Sequence, residues 1–235
     1  WLNAKLTVNV NLNQTCNAYW NGSTLNFFRS GGGCNNTGES PGVSLHEWGH
    51  GLDSNDGGGS SPDNGTGETY GDFSAALATH NSCIGNGFLQ SGTCGGYGNT
   101  CTSCSGVRDI DWAKHTRNVA STVANFTQTT CPQPSANNPN YVGPCGKDAI
   151  ARGQSTKKRE GHCESYPSSE ALWDLAARDM PSPGSGAAWT VVDRLWYLSR
   201  STASAAFQCN VSGTTWTSDG CNTGSLFKVF RTIDD

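Results

Sequence analysis

His46-Glu47-Trp48-Gly49-His50-Gly51-Leu52-Asp53, followed after a glycine-rich stretch by Glu68-Thr69-Tyr70-Gly71-Asp72, carries most of what this 235-residue chain discloses. Residues four apart on a helix lie one above the other on one face, so a helix through the first segment aims the imidazoles of His46 and His50 at one point. Pro41, with Ser40 as its N-cap, predicts where that helix starts, and Val43, Leu45, Trp48 and Leu52 supply its apolar residues. Two converging imidazoles suit zinc, and a catalytic zinc site has three protein ligands and one open position. Glu47 stands beside the pair, close enough to take a proton from water at that position without ligating the metal. A third ligand is still needed.

Three sources for it compete. Glu68 opens the next predicted helix, which runs to His80 with Phe73, Ala76 and Leu77 on its apolar side. Glu68 and Asp72 are again four apart, so one carboxylate can bind zinc while the other accepts the second ring N–H of a ligand histidine and fixes its tautomer. Asp56 is the rival, at the third-ligand position of the metzincin pattern HExxHxxGxxH/D, although Asp53 stands where that pattern requires glycine. Gly65 to Gly71 also echoes the aspzincin motif GTxDxxYG, with glutamate for aspartate and one residue too few. Glu68 is the preferred third ligand.

HEWGHGLD followed by ETYGD resembles the gluzincin peptidases, in particular the thermolysin-like and fungalysin-like families. Asn17-Ala18-Tyr19-Trp20-Asn21-Gly22 is similar to the NAFWNG segment of thermolysin-like enzymes. The resemblance covers Asn17 to about Ala78 and, weakly, a later segment beginning Gly161-His162-Cys163-Glu164. It implies a zinc endopeptidase whose substrate backbone pairs with an edge strand at Asn17 and Ala18, as an exposed strand edge allows. It also implies a catalytic histidine just before a helix, which hydrogen-bonds the oxyanion; His162 matches that place. The implied fold is a single thermolysin-like catalytic domain. Its strand-bearing N-terminal lobe spans about 1–66, its mainly helical lobe about 67–235, and an active-site cleft lies between them. The family's oxyanion tyrosine and its supporting arginine have no aligned counterpart, with Tyr166 and Tyr70 the nearest candidates for the former.

The remainder of the chain sets the context. Thirty glycines, 14% charged residues and 34% hydrophobic residues describe a globular domain with a polar, largely neutral surface. A net charge of −4 argues against nucleic-acid binding, and no apolar run reaches the roughly 18–20 residues of a membrane span. Eleven cysteines, with one CxxC at Cys101 and Cys104, favour disulfides over a zinc ribbon and therefore secretion. The odd number leaves one thiol free or paired outside this chain. Proximity suggests the pairs Cys16–Cys34, Cys131–Cys145 and Cys209–Cys221. The start at Trp1, without Met or signal peptide, fits a processed mature domain.

Lys5 to Leu12 alternates apolar with polar and predicts a half-buried strand, and Leu25 to Arg29 a second. Asp56 to Gly67 is composed of turn residues, whereas Cys83 to Cys104 is a loop dependent on disulfides. Helices are predicted at 107–126, 168–180 and 187–201, the first of them carrying His115 on a solvated face with Asp109 and Asp111. Strands early and helices later make the fold class α+β. His80 adds a favourable charge to the end of the Glu68 helix. Asp53, Asn55, Asp56 and Asp63 could offer oxygen to calcium but lack EF-hand spacing, so a solvated loop is preferred.

The expected function is a secreted zinc endopeptidase, monomeric, acting on protein or peptide substrates. Two other readings stay open: a non-catalytic zinc-binding or adhesion module, and a metal-dependent amidase of metzincin or aspzincin type using Asp56.

Overall fold

The structure, a computed structural model, describes residues 1–58, 61, 64–127, 131, 160–203, 205–212, 215–219 and 224–234. It is α+β, with small sheets and a larger helical content. The chain divides into two compact units, Trp1–Asn55 with Tyr70–Val119, and Asp56–Thr69 with Ala120–Asp235.

In the first unit, strands β1 (Thr7–Leu12), β2 (Ala18–Trp20) and β3 (Thr24–Phe28) form one sheet in the order β1-β3-β2. β1 runs parallel to β3, and β2 antiparallel to it. The position of β1 matches the alternation in the sequence, but its buried face does not. Val8 and Val10 are exposed, and the inward position belongs to Asn9, whose Nδ2 donates to Asn26 Oδ1 at 2.9 Å. Asn26 in turn donates to the carbonyls of Tyr19 and Thr24, so a ladder of amide hydrogen bonds occupies a place the alternation assigns to apolar packing.

Helix α1 (Pro41–Asn55) packs on this sheet. Ser40 caps it, its Oγ accepting from Val43 N at 3.5 Å. Val43 joins Ala18, Leu25 and Phe27 in a buried cluster flanked by Leu6, Trp20, Trp48 and Phe88. Trp1 lies edge-on to Trp20 and against Trp48, directly over Gly51, where an added methyl would meet its ring at 2.8 Å. The histidine-bearing helix is thus fixed to the sheet along one side.

Helix α2 (Asn64–Thr79) begins four residues before Glu68, inside the stretch whose composition predicts only turns. A tertiary bond fixes its first turn: Thr66 Oγ1 accepts from Ala206 N at 2.9 Å. The helix ends at His80, which takes a left-handed φ of 50°.

The helix expected over 107–126 does not form. Arg108–Asp109 is instead a short strand, β5, paired with β4 (Cys83–Ile84), followed by a single 3₁₀ turn at Trp112–Lys114. Asp109 Oδ1 accepts from Asp111 N and Asp111 Oδ1 from Ala113 N, local side-chain bonds that draw the backbone away from a helix. A five-residue π-helical turn at Val123–Thr127 is the helical remnant. His115 consequently lies in the interior, only 2% exposed, and not on a solvated face.

The environment of His115 predicts a pH dependence. Its Nε2–H donates to the Asp109 carbonyl at 2.8 Å, and its Nδ1 faces Asn99 Nδ2 at 3.2 Å, while Asn99 Oδ1 accepts from Arg117 N. That network suits the neutral ring, and burial holds its pKa below the ordinary 6.5 despite the opposing bond to Asp109 and the nearby Asp109 and Asp111 charges. Above pH 6.5 both folded and unfolded imidazoles are neutral; below it the unfolded chain takes up the proton first, so stability falls as pH drops. Urea midpoints measured at pH 7.5 and 5.5 are expected to differ less in His115→Gln than in the wild type.

The second unit contains α3 (Gly161–Glu164), α4 (Tyr166–Asp174) continuing through a π turn to Asp179, α5 (Gly186–Ser199), the hairpin β6 (Gln208–Ser212) and β7 (Thr215–Asp219), and α6 (Leu226–Asp234). The two long predicted helices are present within a few residues of their expected bounds. Ser185 caps α5 by accepting from Ala188 N. Trp173 and Trp189 meet at 5.2 Å across α4 and α5, and Ala176, Val192 and Trp196 of the same helical stretches are also buried.

Among the described residues four disulfides are formed: Cys16–Cys34, Cys83–Cys104, Cys94–Cys101 and Cys131–Cys163. The first pairs as proximity suggests, whereas Cys131 joins Cys163 in place of Cys145. Cys145 and Cys221 lie outside the described residues, as does the side chain of Cys209. Among the described residues no helix is long and apolar enough to cross a membrane.

Candidate metal centre

The helical spacing of His46 and His50 brings their Nε2 atoms to 3.0 Å, with the rings nearly perpendicular at 87°. Two nitrogens each about 2.0–2.1 Å from a tetrahedral zinc sit roughly 3.3 Å apart, so this separation is close to that of a liganded pair. His46 and Glu47 are buried on α1 and His50 half-buried. Glu68, buried on α2 one turn before Asp72, completes the group: one ligand atom from each of His46, His50 and Glu68 lies within 4.8 Å of the others. Two imidazoles and a carboxylate are a donor set that fits zinc.

Small residues permit this geometry. A methyl on Gly71 would lie 2.6 Å from His46 Cε1, so the imidazole ring rests directly on the backbone of α2. A methyl on Gly49 would meet the Gly71 α-carbon and the Ser74 side chain at 2.9 Å. Both glycines are interior to helices, where glycine is otherwise unfavourable, and here they allow close approach of α1 to this part of α2.

Behind His46 lies Asp72, fully buried, its Oδ1 3.1 Å from His46 Nδ1. Asp72 is itself gripped by Arg108, whose Nε donates to Oδ1 at 3.0 Å and Oδ2 at 2.8 Å while Nη2 reaches Oδ1 at 2.7 Å. Burial pushes the Asp72 carboxyl upward, but the Arg108 guanidinium and the His46 ring outweigh it, and its pKa lies below the ordinary carboxylate value. Asp72 is therefore an anion whenever the neighbouring ring needs an acceptor. Sequence reading does not find Arg108: it stands 36 positions after Asp72, in a segment predicted to be helical, and no local pattern marks it.

In the second unit His162, on α3, lies between two carboxylates. Its Nε2 is 3.3 Å from Glu68 Oε1 and its Nδ1 2.5 Å from Glu160 Oε1. Glu160 also caps α3 by accepting from Cys163 N, and Cys163 is tied to Cys131, so the histidine is held from both sides. Thr69, the residue after Glu68, shares a 2.7 Å hydrogen bond with Ser168.

Asn17 is exposed and its carbonyl accepts from Thr37 Oγ1, while Ala18 is buried and pairs with Phe27 in β2, an outer strand of its sheet. Asp56 is not in the His46 group; its Oδ1 accepts from Gly58 N and its Oδ2 lies 3.8 Å from Arg200 Nε. Asp53 is buried, and Asp63 of the suggested calcium loop lies outside the described residues. Tyr70 and Tyr166 are core residues, 1% and 0% exposed, the latter packed against Phe126. Among the described residues a second trio of possible ligands is Cys94, Cys101 and Cys104, whose sulfurs are already joined in disulfides.

Compared with models of known protein families and with curated proteins, the chain matches none.

Proposed function

We propose that the chain is a secreted zinc endopeptidase of gluzincin type, with a thermolysin-like catalytic domain acting on protein or peptide substrates as a monomer. The observation that carries this reading is the convergence of His46, His50 and Glu68, with Asp72 set against the outward nitrogen of His46. A zinc ion held there supplies a Lewis acid and lowers the pKa of water to about 7.

The chain's own residues then have distinct roles. Glu47, adjacent to His46 on the same helix, takes the proton of the attacking water and passes it to the leaving amine. His162, set between Glu160 and Glu68, is the proposed donor to the developing oxyanion, a contribution of about 10²–10³ in rate for one such donor. The outer edge of β2 at Asn17 and Ala18 offers main-chain groups to an extended peptide. Four disulfides fit an oxidising compartment and hence export.

A purely structural zinc is the weaker reading, because such sites are normally closed by a fourth protein ligand and the group contains three among the described residues. Casein hydrolysis distinguishes them. Activity is expected to disappear with a strong zinc chelator and to return on adding zinc; activity indifferent to chelation, or none in the zinc-loaded protein, contradicts the proposal.

A further inference from the structure

We infer that Arg108 is a positioning residue for the metal centre, holding Asp72 so that the ring of His46 keeps its proton on Nδ1 and presents the lone pair of Nε2 to the cation. This rests on the zinc reading of His46, His50 and Glu68.

The geometry is that of a three-step support. Asp72 Oδ1 is shared by His46 Nδ1 at 3.1 Å, Arg108 Nη2 at 2.7 Å and Arg108 Nε at 3.0 Å, and the other oxygen takes a further 2.8 Å bond from Nε. The guanidinium therefore contacts both oxygens and fixes the plane of the carboxylate as well as its charge, which a lysine ammonium cannot do. That plane decides where the acceptor lone pair meets the imidazole, and hence which ring nitrogen carries the proton.

Arg108 and Asp72 are both buried, and taking such a pair out of water is unfavourable unless the geometry repays it, so stability alone is a poor reason for the pair to exist. The backbone of Arg108 is also unusually constrained. It pairs with Ile84 in the β4–β5 ladder, and the neighbouring Cys83 is joined to Cys104. The cysteine-rich loop contributes no ligand to the His46 group, yet it sets the strand from which Arg108 reaches Asp72. Gly71, beneath the His46 ring, closes the opposite side, so the imidazole is defined by backbone below and by the Asp72–Arg108 pair at its edge.

The test compares zinc affinity, by chelator competition on the full chain, with the thermal midpoint of the metal-free protein. Arg108→Met is expected to weaken zinc binding about 10–100-fold, the range of loss seen for outer residues that orient a ligand. Arg108→Lys, which keeps the charge without the fork, is expected to lose about tenfold and guards against a poorly folded methionine variant. The combined variant Asp72→Asn/Arg108→Met removes both buried charges; it is expected to regain thermal stability relative to Arg108→Met while zinc affinity stays low. Wild-type affinity in the lysine variant, or its recovery in the combined variant, would show Arg108 to be a counter-charge only and overturn the inference. Failure of the wild type itself to bind zinc would instead remove the reading on which the inference rests.

Discussion

Glu47→Gln is expected to abolish peptide hydrolysis while leaving zinc content unchanged. The amide is the same size as the carboxylate, so the buried position on α1 keeps its packing and the flanking histidines keep their places. What disappears is the ability to accept a proton from the attacking water. General-base catalysis of this kind contributes about 10²–10⁴ in rate. A fall in kcat/KM of about 10³-fold or more with one zinc retained per chain is the expected result, measured on a fluorogenic peptide and by metal analysis of the same sample. Hydrolysis at the wild-type rate would show that another group serves as base.

Glu68→Ala is expected to have the opposite signature, with metal and activity lost together. Two imidazoles alone hold zinc poorly, and substituting even an outer residue costs about 10–100-fold in affinity, so removing a ligand is expected to exceed that range. The variant also removes the carboxylate 3.3 Å from His162 Nε2. Glu68→Gln separates the two consequences: it retains a neutral acceptor near His162 but presents no anion to the cation. If both variants bind zinc as the wild type does, the third ligand lies elsewhere. Comparison of zinc dissociation constants for the two variants and the wild type checks this.

How much is legible in the sequence depends on the range of the interaction. The pairing of His46 with His50 and of Glu68 with Asp72 is set by helical pitch, and a capping serine followed by proline marks the start of α1, so spacing alone places these side chains on common faces. Asn9 illustrates the next level. The period of two in β1 is readable, but an amide ladder to Asn26 occupies the face that apolar residues are expected to bury, and single-strand patterns carry no information about such partners. The segment after Cys104 departs from expectation for a related reason: Asp109 and Asp111 bond to the backbone two residues onward and exclude the helix that the residue types alone allow. Cys131 pairing with Cys163 and Arg108 reaching Asp72 are both long-range consequences of the completed fold, invisible to any local window.

Zinc K-edge X-ray absorption of the zinc-loaded chain tests the central claim most directly. The predicted first shell contains nitrogen and oxygen at about 2.0–2.1 Å, with the outer-shell scattering of two imidazoles and no sulfur. A sulfur shell at about 2.3 Å would place the ion on cysteine thiolate instead, and that result would contradict the assignment to His46, His50 and Glu68.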